Sequence, residues 1–374
     1  MSAPASAKAF PIPDMVRPDL RPLTSIRGIA AWWVVLFHFK NYFRNQIPEP
    51  LDRLAGHGEL GVDLFFVLSG FVIYLNYRDI SPTDRSGMLQ FYVKRFARVY
   101  PLHLLFLLAY VGYVSGVVWL KGPAGLDARY GWASFTANLL LIQDWGLIPN
   151  LSWNIPSWSI SAEFAAYLAF PFLLLLFQSR TAHPFRLVLN ALACYAALLL
   201  VFGFFQFQIG SNISQAGALR CIFQFAMGMT ACEIYLRYFT GTLAPLAPAL
   251  VAAGLALVAA TLVWSVPTAL LIPPAWFLVV LGLAGIRGPV CSFLSLQPLV
   301  YLGDISYATY LCHYLAFDLF KALLVKVEGQ ASWAALLGTW AAILIVSPLL
   351  YHGLERPAQK WLVRRLSPLA WKFA

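Results

Sequence analysis

Ten runs of apolar residues punctuate the chain, at about 26–43, 60–77, 99–120, 157–177, 184–209, 217–236, 246–264, 268–286, 299–320 and 332–353. Each approaches the ~20 residues that a helix needs to cross a bilayer. The first run is short, and the eighth is interrupted by Pro273-Pro274. A shorter apolar piece, 132–145, reads as amphipathic or re-entrant. The pattern predicts an all-α fold, a polytopic transmembrane helical bundle of about ten spans.

The charges orient these spans. With the N-terminus inside, the inner segments hold eighteen Lys and Arg and the outer segments six, with Lys40 and Arg220 left inside spans. Basic residues gather on the cytoplasmic side, so both termini are expected there and the number of spans is even. Residues 1–20 read as a disordered cytoplasmic tail, 21–360 as the membrane domain and 361–374 as a basic cytoplasmic tail.

Composition agrees with this picture. The 374 residues are 60% hydrophobic and 11% charged, against roughly 25% charged in soluble domains. The net charge of +10 follows from topology, because the basic residues collect in loops and form no duplex-binding face. No nucleic-acid partner is expected; membrane lipid is. The five cysteines form no Cys-x-x-Cys pair, so they read as small buried hydrophobes, and no metal is expected.

Polar residues inside the spans carry the chemistry. A charge or imidazole in a membrane is costly, and it usually faces a protein interior or a wet cavity. Arg27 and His38 are eleven residues apart, three turns plus about 20°, so they share one helix face at ~16 Å separation. The topology puts His38 past the midpoint of its span, toward the outer leaflet. Asp63, Glu163, Arg220, His313 and Asp318 fall at a similar depth on four further spans. Such a cluster can line a hydrated cavity, or it can be a polar network that holds helices together. On the inner side, Arg95 and Arg98 are three residues apart and share a helical face. Two guanidiniums so placed suit a phosphate-bearing ligand, although positive-inside anchoring alone places such residues too.

One chemistry joins these groups. An acyl-CoA would leave its phosphates with Arg95 and Arg98 and extend its thioester inward to His38. Lys94 and Arg220 are counted with Arg27, Arg95 and Arg98 as donor-binding candidates. His38 would take the proton of an acceptor hydroxyl as it attacks the thioester, or would itself carry the acyl group. Glu163 or Asp63 would hold the imidazole in its useful tautomer, and His313 joins the catalytic candidates. A transporter or flippase of a lipid-linked or anionic solute is the other reading. Against it stand the absence of an inverted repeat and the offset of the Arg-x-x-Arg group from the midplane.

The motifs, taken in order, resemble the acyltransferase-3 family of bacterial integral-membrane acyltransferases. Arg27 and His38 match its basic residue–ten residues–His signature. The run from Gly61 through Asp63 to Ser69-Gly70 is similar to its second-helix segment. Arg95-Phe-Ala-Arg98, followed by Pro101, matches its Arg-x-x-Arg motif, and Trp158-Ser159-Ile-Ser-Ala-Glu163 its Trp-Ser-x-x-x-Glu segment. Arg220 to Gly228, Gly303 to His313 and Glu355-Arg356-Pro357 resemble its later motifs. The resemblance implies about ten helices, acyl-CoA as donor with acetyl the commonest acyl group, and a glycan or glycoconjugate hydroxyl as acceptor. It implies His38 as the essential residue, with Arg27, Arg95 and Arg98 as donor contacts. Phe164 stands where a second acidic residue often follows Glu163, which leaves the proton role of Glu163 open. With only a basic tail after the helices, the chain reads as the membrane module alone, in the bacterial inner membrane. Neither motifs nor spacing specify the acceptor hydroxyl or an oligomeric state.

Overall fold

A computed structural model describes residues 20–43, 46–122, 128–177, 184–207, 212–239, 241–264, 266–325 and 331–372. The tail before residue 20 lies outside them, as do Arg44, Arg180 and Lys326 from the charge count. Among the described residues there is no strand, and each of the ten apolar runs is helical over most of its described length. Among the described residues, seven helices are long and apolar enough to cross a membrane. The protein is an all-α polytopic bundle.

In chain order, α1 (Arg21–Phe43), α2 (Glu49–Gly56), α3 (Gly61–Tyr77), α4 (Arg85–Lys121) and α5 (Trp132–Leu139) are followed by α6 (Trp158–Phe177), α7 (Pro184–Phe204) and α8 (Ile213–Ile234). Then come α9 (Ala247–Val263), α10 (Thr268–Gly285), α11 (Pro289–Leu294), α12 (Gln297–Asp304), α13 (Ser306–Leu323), α14 (Trp333–Leu350) and α15 (Arg356–Lys372). Helices α1, α8 and α13 fall outside the seven apolar ones. They are the ones that carry Arg27 and His38, Arg220, and His313 and Asp318, whose polar side chains dilute the apolar signal.

Three boundaries differ from the apolar pattern, and one helix runs through the prolines that interrupt it. α4 starts at Arg85, well before the apolar run, because Asp84 caps it by accepting from the Gly87 N–H at 3.0 Å. Arg95 and Arg98 therefore sit on a continuous helix that passes through Pro101. α10 likewise continues through Pro273 and Pro274. The ninth run breaks at Ile305 into α12 and α13. Residues 361–372, read as part of a basic tail, are helical: they belong to α15, which packs along α4 after a π-helical turn, Tyr351–Glu355.

Two close crossings position the site. At the α3–α8 contact, a Cβ on Gly70 would stand 1.9 Å from the Phe225 carbonyl oxygen, and one on Gly228 would stand 1.9 Å from that of Val67. Only hydrogen fits at either place, so the two backbones touch. At the α1–α12 contact, a Cβ on Gly303 would meet the Thr24 carbonyl oxygen at 1.9 Å. This approach brings the Gly303 carbonyl within reach of Arg27.

Candidate active site

A cavity of about 160 Å3 opens between α1, α3, α4, α6 and α13. Three arginines line it: Arg27 from α1, and Arg95 and Arg98 from α4. Each is held by one partner. Arg27 donates from Nε and Nη2 to the Gly303 carbonyl at 3.1 and 2.9 Å. Arg95 donates from Nη2 to the Tyr77 hydroxyl at 3.3 Å, while its buried Nε has no partner. Arg98 pairs through Nη1 with Glu355, a carboxylate that is 1% exposed. A guanidinium has five N–H donors, so each arginine keeps donors to spare. Lys94 does not line the cavity; it lies 6.0 Å from the Tyr77 ring centre.

Glu163 lines the same cavity and accepts from the Ser69 hydroxyl. The far end is formed by Phe65, Ser159, Ile160 and Tyr310. Behind Tyr310 stand the two histidines. The rings of Tyr310 and His313 are 5.7 Å apart, and those of His313 and His38 are 5.1 Å apart. His38 also packs edge-on against Tyr314 at 4.8 Å. His313 is fully buried. The arginines and the histidines are thus the two ends of one line along α1, as an eleven-residue helical separation requires.

Asp63 and Arg220 are elsewhere. Arg220 donates from Nε to one Asp63 oxygen at 2.8 Å and from Nη2 to the other, and Gln224 adds a bond of 2.6 Å. Asp63 is 0% exposed and Arg220 3%. The α3–α8 crossing brings this pair together, and neither residue lines the arginine cavity. Asp318 is also paired, accepting from Tyr110 at 2.9 Å and from Arg129 and Lys321 at 2.8 Å. The structure therefore groups Arg27, Arg95, Arg98 and Glu163 around one cavity, places His38 with His313 beyond it, and pairs Asp63 with Arg220. Glu163 holds Ser69, and Asp63 holds Arg220 and Gln224, rather than the His38 imidazole. Among the described residues no cluster of His, Cys, Asp or Glu is arranged to hold a metal ion.

Sequence reasoning missed the polar chain between α5 and α6. Asn138 donates to Ser152 at 2.9 Å, Gln143 to the Ser157 carbonyl at 3.1 Å, and Asn154 to the Leu311 carbonyl at 3.1 Å. These bonds pin the segment 140–157 against α6 and α13, with Leu141 and Trp153 at φ 58° and 53°. The signal was present as amides and serines interrupting the apolar piece 132–145 and the stretch after it.

The chain matches the family model described as an acyltransferase domain over residues 23–352. It is similar to Acyltransferase MdmB of Streptomyces mycarofaciens, 29% identical over 94% of either chain. It is also similar to Peptidoglycan O-acetyltransferase OatA of Listeria monocytogenes, 26% identical over 90% of this chain and 55% of that longer protein. No solved structure matches. A family model that covers nearly all the helices, on a bundle that lines up the family's arginine and histidine motifs, places the chain in the acyltransferase-3 family, and it is an acyltransferase.

Proposed function

We propose that this enzyme moves an acyl group, in the first place acetyl, from acyl-CoA to a hydroxyl of a glycan or glycoconjugate across the bacterial inner membrane. The cavity carries this reading: it holds three arginines and Tyr310, and beyond Tyr310 lie two neighbouring histidines. Phosphate groups are bound well by guanidinium forks, and the basic end faces the cytoplasm, where acyl-CoA is made. The relative OatA, named as a peptidoglycan O-acetyltransferase, supports a glycan acceptor.

In this reading the acceptor hydroxyl approaches His38 from the outer side. Its oxygen attacks the thioester carbon while an imidazole nitrogen of His38 takes the proton. The C–S bond then breaks, and the departing CoA sulfur takes that proton from His38. His313, buried beside it, is the second imidazole at the reacting end. Glu163 and Asp63 act by position: the first holds the Ser69 wall of the cavity, and the second locks α3 to α8 through Arg220.

The test uses purified protein in detergent, acetyl-CoA labelled with 13C in its acetyl group, and surface glycan from a deletion strain. New O-acetyl signals should appear in the glycan NMR spectrum. His38→Ala should slow their appearance by about 10²–10⁴-fold, the usual effect of losing a general base. Label that appears at the wild-type rate with His38→Ala would remove His38 from the chemistry.

A further inference from the structure

The cavity is lined by six hydroxyl-bearing side chains, and five have their protons committed to strong acceptors. Ser69 donates to the Glu163 carboxylate, and Tyr167 hydrogen-bonds the same group. Ser306 donates to the Gly303 carbonyl at 2.7 Å, and Tyr307 to the Val99 carbonyl at 2.6 Å. Ser159 donates to the Pro156 carbonyl at 3.0 Å. A serine hydroxyl has one proton. With that proton on the Pro156 carbonyl, the donor in the 2.9 Å contact between Ser159 and Tyr310 is Tyr310. Its proton goes to another hydroxyl, which it can leave by turning about the C–O bond without breaking a backbone or carboxylate bond.

Position matches this freedom. Tyr310 belongs to the cavity wall, and its ring also meets His313, 5.7 Å away, with His38 next in line. Phe65 backs it from α3 at 5.7 Å. A donor whose phosphates rest on the arginines would bring its thioester to this end.

We propose that Tyr310 is a catalytic hydrogen-bond donor that holds the thioester carbonyl oxygen and the oxyanion formed from it. The proposal rests on the acyl-CoA reading above and adds the group that stabilises its transition state. As the acceptor oxygen forms its bond to carbon, the carbonyl π pair moves onto oxygen and the hydroxyl proton goes to His38. Tyr310 turns its O–H from Ser159 to that oxygen and keeps its proton throughout. When the carbonyl reforms, the C–S bond breaks, the electron pair leaves with sulfur, and His38 returns the proton to it. A hydrogen bond to a developing anion is stronger than one to a neutral carbonyl, so the contact acts mainly in the transition state.

Tyr310→Phe removes the O–H and keeps the ring. With acetyl-CoA, turnover should fall about 10²–10³-fold, the usual loss for one oxyanion donor. Calorimetry separates this effect from a packing defect through two inert donors: the acetyl-CoA analogue with CH2 in place of sulfur, which keeps the carbonyl as a ketone, and S-ethyl-CoA, which has none. Wild-type protein should prefer the ketone by about three- to tenfold, the net worth of one neutral hydrogen bond. Tyr310→Phe should bind S-ethyl-CoA like wild type and lose the preference. Ser159→Ala, which removes only the resting acceptor of Tyr310, should keep the preference. If wild-type protein binds neither analogue, the acyl-CoA reading falls and takes this role with it. If it binds both, and Tyr310→Phe retains the ketone preference or turns over within threefold of wild type, the donor reading stands and the role of Tyr310 is refuted.

Discussion

Two arginine sites inside this bundle, Arg220 and the three arginines of the cavity, have partners that differ in kind. Arg220 meets Asp63 with two N–H donors on two carboxylate oxygens, and Gln224 completes the carboxylate. That pair is closed, with charge answered by charge. Around the cavity, Arg27 rests on a backbone carbonyl and Arg95 on a phenol, both neutral, and Arg98 alone has a carboxylate partner. These arginines keep charge and N–H groups toward an open volume. A closed buried pair acts on helix packing, whereas arginines on neutral partners beside a cavity are poised for an anion that comes from outside.

Breaking the closed pair should have the larger effect, and on stability. Asp63→Asn leaves Arg220 as a buried charge without its counter-ion, which typically costs about 3–5 kcal/mol. Thermal unfolding in detergent should show a marked loss, while the protein that remains folded binds CoA with unchanged affinity. A stable Asp63→Asn protein with weakened CoA binding would move the pair into the donor site.

Opening the cavity group should have the smaller effect, and on binding. In the Arg95→Ala/Arg98→Ala variant, CoA affinity measured by calorimetry should fall by at least about 10-fold, since even one hydrogen bond to a charged group is worth ~1.5–3 kcal/mol. Arg98→Ala also strips the buried Glu355 of its partner, so stability is compared with Arg95→Ala alone, which should lower the unfolding temperature far less than Asp63→Asn. Unchanged CoA affinity would return both residues to membrane anchoring.

Much of this was legible in the sequence. Hydrophobic runs are long, so the ten helices could be read. The basic residues of α4 and the Arg27–His38 spacing could be read because a helix fixes which side chains share a face. Pairing across helices could not be read. Asp63 and Arg220 are 157 residues apart, and what joins them is a backbone contact allowed by Gly70 and Gly228. Shared depth suggested one cluster of His38, Asp63, Glu163, Arg220, His313 and Asp318. The structure divides them among a cavity, a closed ion pair, the two neighbouring histidines and the Arg129–Asp318 pair, because depth gives no azimuth. The reach of α15 along α4 was hidden for another reason: its polar surface resembles a solvated tail until Glu355, just before it, is seen holding Arg98.

The central claim is that one cavity holds the donor, with its phosphates at Arg95 and Arg98 and its acyl end at Tyr310. The most direct measurement is photocrosslinking with an acyl-CoA that carries a diazirine in its acyl chain, mapped by mass spectrometry. The account predicts adducts around Tyr310–Tyr314 and at His38, displaced by unlabelled acetyl-CoA and absent at 94–98. Displaceable adducts at 94–98, with none near His38 or Tyr310, would reverse the donor in its cavity and contradict the account.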